Sequence, residues 1–205
     1  MNRLFLEFHR RSREKKYRLF MQLLRPQANA RILNVGITGT RIGFHEQLEY
    51  WYPHPDRITG GALGFDEVDD YRQSFPAATA IVFDGCALPF ADRSFDIVYS
   101  NAVLEHLRGP SAVERFTQEV QRVGKGWFIS TPNFWYPIEP HYHLPFVQLL
   151  PQDLQRKLVR SLGKPTYDHL QLLRKRELRE LFPTSKVEGC RVTFYAETLI
   201  AYRAP

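Results

Sequence analysis

The sequence is poor in cysteine and has no long apolar run. Only Cys86 and Cys190 occur among its 205 residues, and their separation matches no metal-ligand spacing. No apolar run approaches the roughly 18 residues that a membrane span requires. The first twenty residues lack the continuous apolar segment of a secretory signal. Together these absences predict a reduced, cytoplasmic protein.

Positive charge is concentrated near the N-terminus. Residues 1–25 contain eight basic and two acidic residues, whereas residues 26–205 contain twenty of each. Apolar side chains recur in residues 1–25 at near-helical spacing, which predicts a basic amphipathic helix. Such a helix either packs on the fold with a solvated basic face or contacts a membrane surface or a protein partner. Because the remainder of the chain is neutral, nucleic acid is not expected as a partner.

Short apolar runs alternate with helical patterns from residue 26 onward, which predicts a single α/β domain over residues 26–205. A helix over residues 111–123 is expected to begin with Ser111 as its N-cap. Residues 132–185 interrupt the alternation and contain helical patterns, which predicts a helical cap that acts as a lid or binding element. We expect a doubly wound, mostly parallel sheet with an antiparallel last strand, formed by seven strands at residues 31–35, 57–63, 80–83, 95–99, 127–131, 186–193 and 197–203.

The segment DGCALPFADRSFDIVYSNAVLEHL, residues 84–107, carries the strongest motif. It resembles the middle of a class I S-adenosylmethionine-dependent methyltransferase of the type 11 kind. The resemblance implies a Rossmann-like fold with S-adenosylmethionine as cofactor. It also implies methyl transfer to a small-molecule or glycan-like acceptor, at oxygen.

The resemblance places the cofactor at the carboxyl ends of the first four strands. The loop after the first strand, RILNVGITGT, matches the family's glycine pattern only at Gly36. Ala62 stands where the family has a ribose-binding acid, so Asp66 or Glu67 would have to reach back to the ribose. These departures keep open an alternative, in which the protein is a non-catalytic binding or scaffold module. The implied cofactor residues are Asn34, Gly36, Thr38 and Gly39 in the loop, Asp84, Gly85, Cys86 and Ala87 around adenine, and Ser100 and Asn101 near the methionine half.

The segment PNFWYPIEPHYHLPF, residues 132–146, resembles the acceptor side of such enzymes. We expect His141 or His143 to act as the base that deprotonates the acceptor. Glu139, His141 and His143 are also metal-ligand types, but this local cluster lacks a clear fourth ligand, so no metal site is predicted. The substrate wall is expected to contain His106, Trp135 and Tyr136.

Overall fold

The computed structural model describes residues 3–40, 47–164 and 170–205. The sequence also predicts a helix over residues 44–52, where an aromatic-rich segment ends at Pro53, and this helix lies partly outside the described residues. The helices are α1 (Arg3–Leu24), α2 (Leu48–Trp51), α3 (Phe65–Ser74), α4 (Pro110–Val123), α5 (Gln152–Ser161) and α6 (Lys175–Leu181). The strands are β1 (Ile32–Val35), β2 (Ile58–Ala62), β3 (Thr79–Val82), β4 (Phe95–Asn101), β5 (Gly124–Pro132), β6 (Ile138–Glu139), β7 (Leu144–Pro145), β8 (Lys186–Cys190) and β9 (Thr198–Arg203).

Seven strands form one sheet in the order β3-β2-β1-β4-β5-β9-β8. Strands β1 to β5 are parallel, whereas β9 pairs antiparallel with both β5 and β8. The predicted seven-stranded, mostly parallel α/β sheet is therefore confirmed. The strand order reverses between β1 and β4, and open sheets of this kind bind ligands at the carboxyl ends of the strands beside such a reversal.

The central strands β1, β4 and β5 are buried on both faces, which agrees with their apolar composition. On one face, Phe116 and Val120 of α4 pack in a cluster with Trp127 of β5. On the other face, the fully buried Phe20 of α1 makes edge-to-face contacts with Tyr99 and Phe128 at centroid distances of 5.5 and 5.7 Å. Helix α1 therefore packs on the sheet through its C-terminal half. Among the described helices, none has the length and apolarity to cross a membrane.

The start of α4 differs from the prediction. The helix begins at Pro110, after an N-cap at Gly109 with φ +80°, so Ser111 is not its N-cap. Proline suits the first helical position because its fixed φ is already helical and its missing N–H would have no intrahelical partner there. The prediction of Ser111 as the N-cap was wrong because it relied on a capping side chain, whereas the actual N-cap, Gly109, has no side chain.

The interruption at residues 132–185 is less helical than expected. It contains the small hairpin β6–β7, a 3₁₀ turn at Val147–Leu149 and the short helices α5 and α6. Prolines at positions 132, 137, 140 and 145 account for the irregular start, since each removes a backbone donor and disfavours helix at the preceding residue.

Candidate active site

The loop after β1 turns sharply at Gly36. This residue has φ +85°, and its N–H donates to the carbonyl of Gly61 at 2.8 Å. A Cβ at this position would lie 2.1 Å from Cγ2 of Val103. Glycine is therefore required here both by the backbone conformation and by the close approach of the segment after β4.

The rest of this loop contacts α2, α3 and the residues beside them. The buried Asn34 donates from Nδ2 to Oε1 of Glu49 at 2.7 Å, and Tyr71 donates its hydroxyl to the same oxygen at 2.8 Å. Gly39 lies so close to α3 that a Cβ would stand 2.3 Å from the backbone of Asp70. Thr38 accepts a hydrogen bond from the side-chain amide of residue 47 at 3.1 Å. Asn34 is thus engaged inside the fold, and burial raises the pKa of its partner carboxyl.

The chain after β2 offers apolar surface and one carboxylate. Leu63 and Phe65 are 73% and 75% exposed, which is unusual for large apolar side chains. Glu67 folds back over the start of α3, so that a Cβ on Gly64 would lie 1.8 Å from its Oε2. Asp66 and Glu67 are the two candidates to replace the ribose-binding acid that is absent at Ala62. Of these two, Glu67 is the one that folds back toward the chain that follows β2.

The turn after β3 is organised by Asp84. Its Oδ1 accepts the backbone N–H of Cys86 at 2.8 Å, and its carbonyl accepts the N–H of Ala87 at 3.0 Å. Asp84 and Ala87 are exposed. A Cβ on Gly85 would lie 3.1 Å from the ring of Phe116, and the thiol of Cys86 lies 3.4 Å from the carbonyl oxygen of Ala112. Burial and the neighbouring Asp84 raise the pKa of the Cys86 thiol. The four predicted adenine-side residues thus form one turn that follows β3, the strand that pairs in parallel with β2.

The end of β4 is linked to α1 through Asn101. Oδ1 of Asn101 accepts hydrogen bonds from Nζ of Lys16 at 2.7 Å and from the hydroxyl of Ser130 at 2.8 Å. Lys16 is buried, and this burial lowers its pKa from 10.5 to about 8. The neighbouring Ser100 is turned to the sheet interior, where its hydroxyl donates to the carbonyl of Val35 at 2.9 Å. Asn101 therefore stands between the predicted cofactor side and the space beneath α1.

A cavity of about 710 Å³ lies beneath α1 at the carboxyl ends of β4 and β5. Its wall combines the N-terminal half of α1, the strand ends, the proline-rich segment and the turn between β8 and β9. We call this space the α1 cavity. Its lining residues are Phe8, His9, Ser12, Arg13, Lys16, Asn101, Ala102, Glu105, Ser130, Thr131, Pro132, Tyr136, Ile138, Pro140, His141, His143, Thr193, Glu197 and Thr198.

His141 is held in the cavity wall by a buried carboxylate. Oε1 of Glu139 lies 2.8 Å from Nδ1 of His141, and Glu139 has no exposed surface. The other carboxylate oxygen accepts the backbone N–H groups of His141 and Tyr142 at 2.8 and 2.6 Å. The hairpin turn between β6 and β7 therefore fixes the carboxylate, and the carboxylate fixes the imidazole.

The other predicted acceptor-side residues occupy different positions. Tyr136 and His143 line the α1 cavity, but the His143 residue is exposed overall and has φ +53°. Burial and the nearby Lys164 lower the pKa of His143. Trp135 does not line the cavity and packs instead beside Arg174, whose guanidinium carbon lies 5.7 Å from its ring centroid.

Glu105 and His106 lie beside His141. The rings of His106 and His141 meet edge to face at 5.0 Å. Burial lowers the pKa of His106 to about 4 and raises that of Glu105 to about 7. Oε2 of Glu105 accepts the hydroxyl of Thr131 at 3.1 Å, while its buried Oε1 has no hydrogen-bond partner within the described residues. Ligand atoms of Glu105, His106 and His141 lie within 4.8 Å of one another, so this set, rather than Glu139 with His141 and His143, has the proximity for a shared metal ion.

Sequence reasoning missed the contribution of α1 to this site. Ser12 and Lys16 are buried, as are Phe20 and Leu24, and all four positions are spaced four residues apart. Residues at this spacing share one face of a helix. Extending the apolar row of Phe20 and Leu24 toward the N-terminus would have placed Lys16 and Ser12 against the domain.

Comparisons with known proteins agree with this architecture. A family model described as a methyltransferase domain matches residues 42–129. The uncharacterized protein Rv1509 of Mycobacterium tuberculosis is 30% identical over 89 residues, which are 42% of this chain and 30% of that protein. The chain therefore spans less than a third of the length of this curated relative.

Solved structures share the fold at low sequence identity. The PH0226 protein of Pyrococcus horikoshii superposes with a TM-score of 0.61 at 15% identity, over 94% of this chain and 88% of that chain. A S-adenosylmethionine-dependent methyltransferase of Methanosarcina mazei gives a TM-score of 0.56 at 15% identity, over 87% of this chain and 94% of that chain. The family model covers less than half of this chain, and the solved structures show that the chain shares the fold of S-adenosylmethionine-dependent methyltransferases.

Proposed function

We propose that the protein transfers the methyl group of S-adenosylmethionine to an oxygen of a small-molecule or glycan-like acceptor bound in the α1 cavity. The observation that carries the proposal is the position of His141. It lies in the wall of a 710 Å³ cavity at the carboxyl ends of β4 and β5, and the buried Glu139 holds it in place. A base held in this way is suited to receive a proton from an acceptor hydroxyl.

The residues at the ends of β2 and β3 fit the cofactor. Exposed Leu63 and Phe65 offer apolar surface to a purine ring, and the exposed Asp84 offers a carboxylate to its amino group. Glu67 supplies a second carboxylate for the ribose hydroxyls, with charge-assisted hydrogen bonds. When bound, the cofactor supplies a methyl group activated on a sulfonium centre.

Glu139 and His141 together can receive the proton that the acceptor hydroxyl loses. A carboxylate that already accepts two backbone N–H groups is suited to accept the Nδ1–H of His141 as well, which leaves the Nε2 lone pair as the basic site. Glu139 then stabilises the imidazolium that forms when the acceptor hydroxyl gives up its proton. Orientation supplies most of the remaining rate, because donor and acceptor are held together in one site.

The lining of the α1 cavity supports a polyol acceptor. Asn101, Ser130 and Thr131 provide side-chain hydrogen-bonding groups, while Tyr136 and Phe8 provide aromatic surface. A sugar presents hydroxyl groups at its edge and C–H groups on its face, so this combination suits it. Helix α1 covers the cavity and limits access of water to the reacting groups.

A non-catalytic binding protein is the second candidate, and specific observations favour it. Asn34 replaces the family's acid, and its amide is engaged by Glu49 in the interior. Gly39 leaves no space between the loop and α3, and Ala62 has no polar side chain for the ribose. These features would weaken cofactor binding without disturbing the α1 cavity.

Methyl transfer can be tested with isotopically labelled S-adenosylmethionine and a panel of monosaccharides, glycosides and phenols. Acceptor-dependent release of S-adenosylhomocysteine, with the label on an acceptor oxygen, is the expected result. The His141→Ala variant should bind the cofactor normally but turn over slowly. Cofactor binding without turnover on any oxygen acceptor would contradict O-methylation, whereas absence of cofactor binding would favour the binding protein.

A further inference from the structure

Large apolar side chains are exposed together in residues 138–162. Leu150, Leu154, Leu158 and Leu162 follow one another at intervals of four residues and are 38%, 53%, 40% and 51% exposed. Residues at this spacing share one side of a helix, and two of these leucines lie within α5. We call the following seven exposed residues the apolar band: Ile138, Phe146, Leu149, Leu150, Leu154, Leu158 and Leu162.

Helix α5 is attached to the protein by a different side. Val159 is fully buried and forms a small cluster with Tyr142 and Val147. Leu158 precedes Val159 by one residue, and neighbouring residues on a helix point about 100° apart. The helix is therefore fixed in place through Val159 while its leucine row stays outside the core. Apolar side chains that stay exposed on one side of a helix indicate a contact site.

Positive charge accompanies the leucine row. Lys157 and Arg160 are exposed on α5, and Arg156 pairs with Asp153 at 3.3 Å. Exposed leucines next to lysine and arginine, on a helix too short to span a membrane, are the pattern of a helix that lies in the plane of a membrane interface. An anionic leaflet attracts such basic side chains.

Helix α1 is less suited to this role, although it carries more positive charge. Its apolar residues Phe20 and Leu24 are buried against the sheet. Insertion of α1 into lipid would require these contacts to break, whereas the leucines of α5 are already exposed. Membrane contact through α1 stays a prediction of the sequence.

We propose that the apolar band docks on an anionic lipid bilayer, with α5 lying in the interface and its leucines inserted among the acyl chains. Ile138 belongs both to the band and to the lining of the α1 cavity. Docking would therefore bring the cavity rim to the level of the lipid head groups. Binding to the bilayer does not depend on methyl transfer, so the two proposals can fail separately.

The test is sedimentation of the full chain with sucrose-loaded vesicles of phosphatidylcholine alone or mixed equally with phosphatidylglycerol. We expect binding to the mixed vesicles that weakens in high salt. Leu154→Gln with Leu158→Gln should lower the partition coefficient at least tenfold. Lys157→Gln with Arg160→Gln should lower it about 25-fold, since each basic residue near an anionic surface contributes about fivefold.

Matched controls separate the band from general surface effects. Lys175→Gln with Arg179→Gln on α6 removes the same charge elsewhere, and Tyr50→Gln removes an exposed aromatic side chain outside the band. Both controls should keep wild-type binding. Each of two results would overturn the proposal: no sedimentation of the wild type with either vesicle, or equal losses in the controls. In the first case, a dimer in solution that Leu154→Gln with Leu158→Gln dissociates would assign the band to contact between two copies of the chain.

Discussion

Glu139 holds His141 through both of its oxygens, one 2.8 Å from Nδ1 and the other 2.8 Å from the backbone nitrogen of the same residue. The carboxylate has no exposed surface, so its position is set by the hairpin turn and not by solvent. We therefore propose His141 as the base, in preference to His143, the other histidine that the sequence offered. His143 follows two residues later and is exposed overall.

Replacing His141 should affect turnover far more than replacing His143. Loss of a positioned general base costs about 10²–10⁴-fold, so His141→Ala should lower kcat within that range while the cofactor dissociation constant is unchanged. His143→Ala should change kcat by less than about fivefold. Steady-state kinetics with both variants checks this expectation. Undiminished turnover in both would remove the base assignment.

Glu105 should make the stability of the fold fall between pH 4.5 and pH 7. Burial raises its pKa from 4.5 to about 7, so over this interval the folded protein binds more protons than the unfolded chain, and stability decreases as pH rises. The shift corresponds to about 3 kcal/mol. Glu105→Gln should remove this decrease, and the exposed Glu114→Gln should keep it. Urea unfolding at several pH values between 4.5 and 7 measures the free energy of unfolding. An equal dependence of this free energy on pH in the wild type and in Glu105→Gln would contradict the burial of the charge.

Methyl transfer should be insensitive to removal of divalent metal ions. Glu105, His106 and His141 are close enough to share a metal ion, but the proposed mechanism uses His141 as a base held by Glu139. Dialysis against EDTA should therefore leave kcat unchanged. Loss of activity that Mg²⁺ or Zn²⁺ restores would reassign these three residues as metal ligands.

Glu67 should carry the ribose contact that Ala62 does not provide. Its carboxylate lies against Gly64, whereas Asp66 is exposed. A hydrogen bond to a charged group contributes about 1.5–3 kcal/mol. Glu67→Gln should therefore weaken S-adenosylmethionine binding about tenfold or more in calorimetry, with Asp66→Asn close to wild type. The reverse order would assign the contact to Asp66.

The sheet was predictable from sequence because its strands are short apolar runs that end at turn residues. The run at residues 95–99 lies within β4, which pairing extends by the polar Ser100 and Asn101. The run at residues 127–131 lies within β5, which pairing extends at both ends. The hairpin β6–β7 was not predicted, because two-residue strands have no periodicity. The N-cap of α4 was misplaced because Gly109 has no side chain that signals a cap.

The candidate site was only partly predictable, since its contacts join distant parts of the chain. Asp84 to Ala87 form one turn, and this follows from local sequence. The hydrogen bond between Lys16 and Asn101 spans 85 positions, and the one between Asn34 and Glu49 joins β1 to α2, 15 positions away. Composition and spacing indicate which residues are polar, but not which of them meet under α1.

The most direct test of the account is calorimetric titration of the protein with S-adenosylmethionine and S-adenosylhomocysteine. We predict micromolar binding that Asp84→Ala abolishes and that Asp92→Ala, an exposed acid in the same segment, preserves. Absence of heat and of thermal stabilisation at millimolar ligand would contradict a working cofactor site. It would favour the second candidate, a methyltransferase-like binding protein.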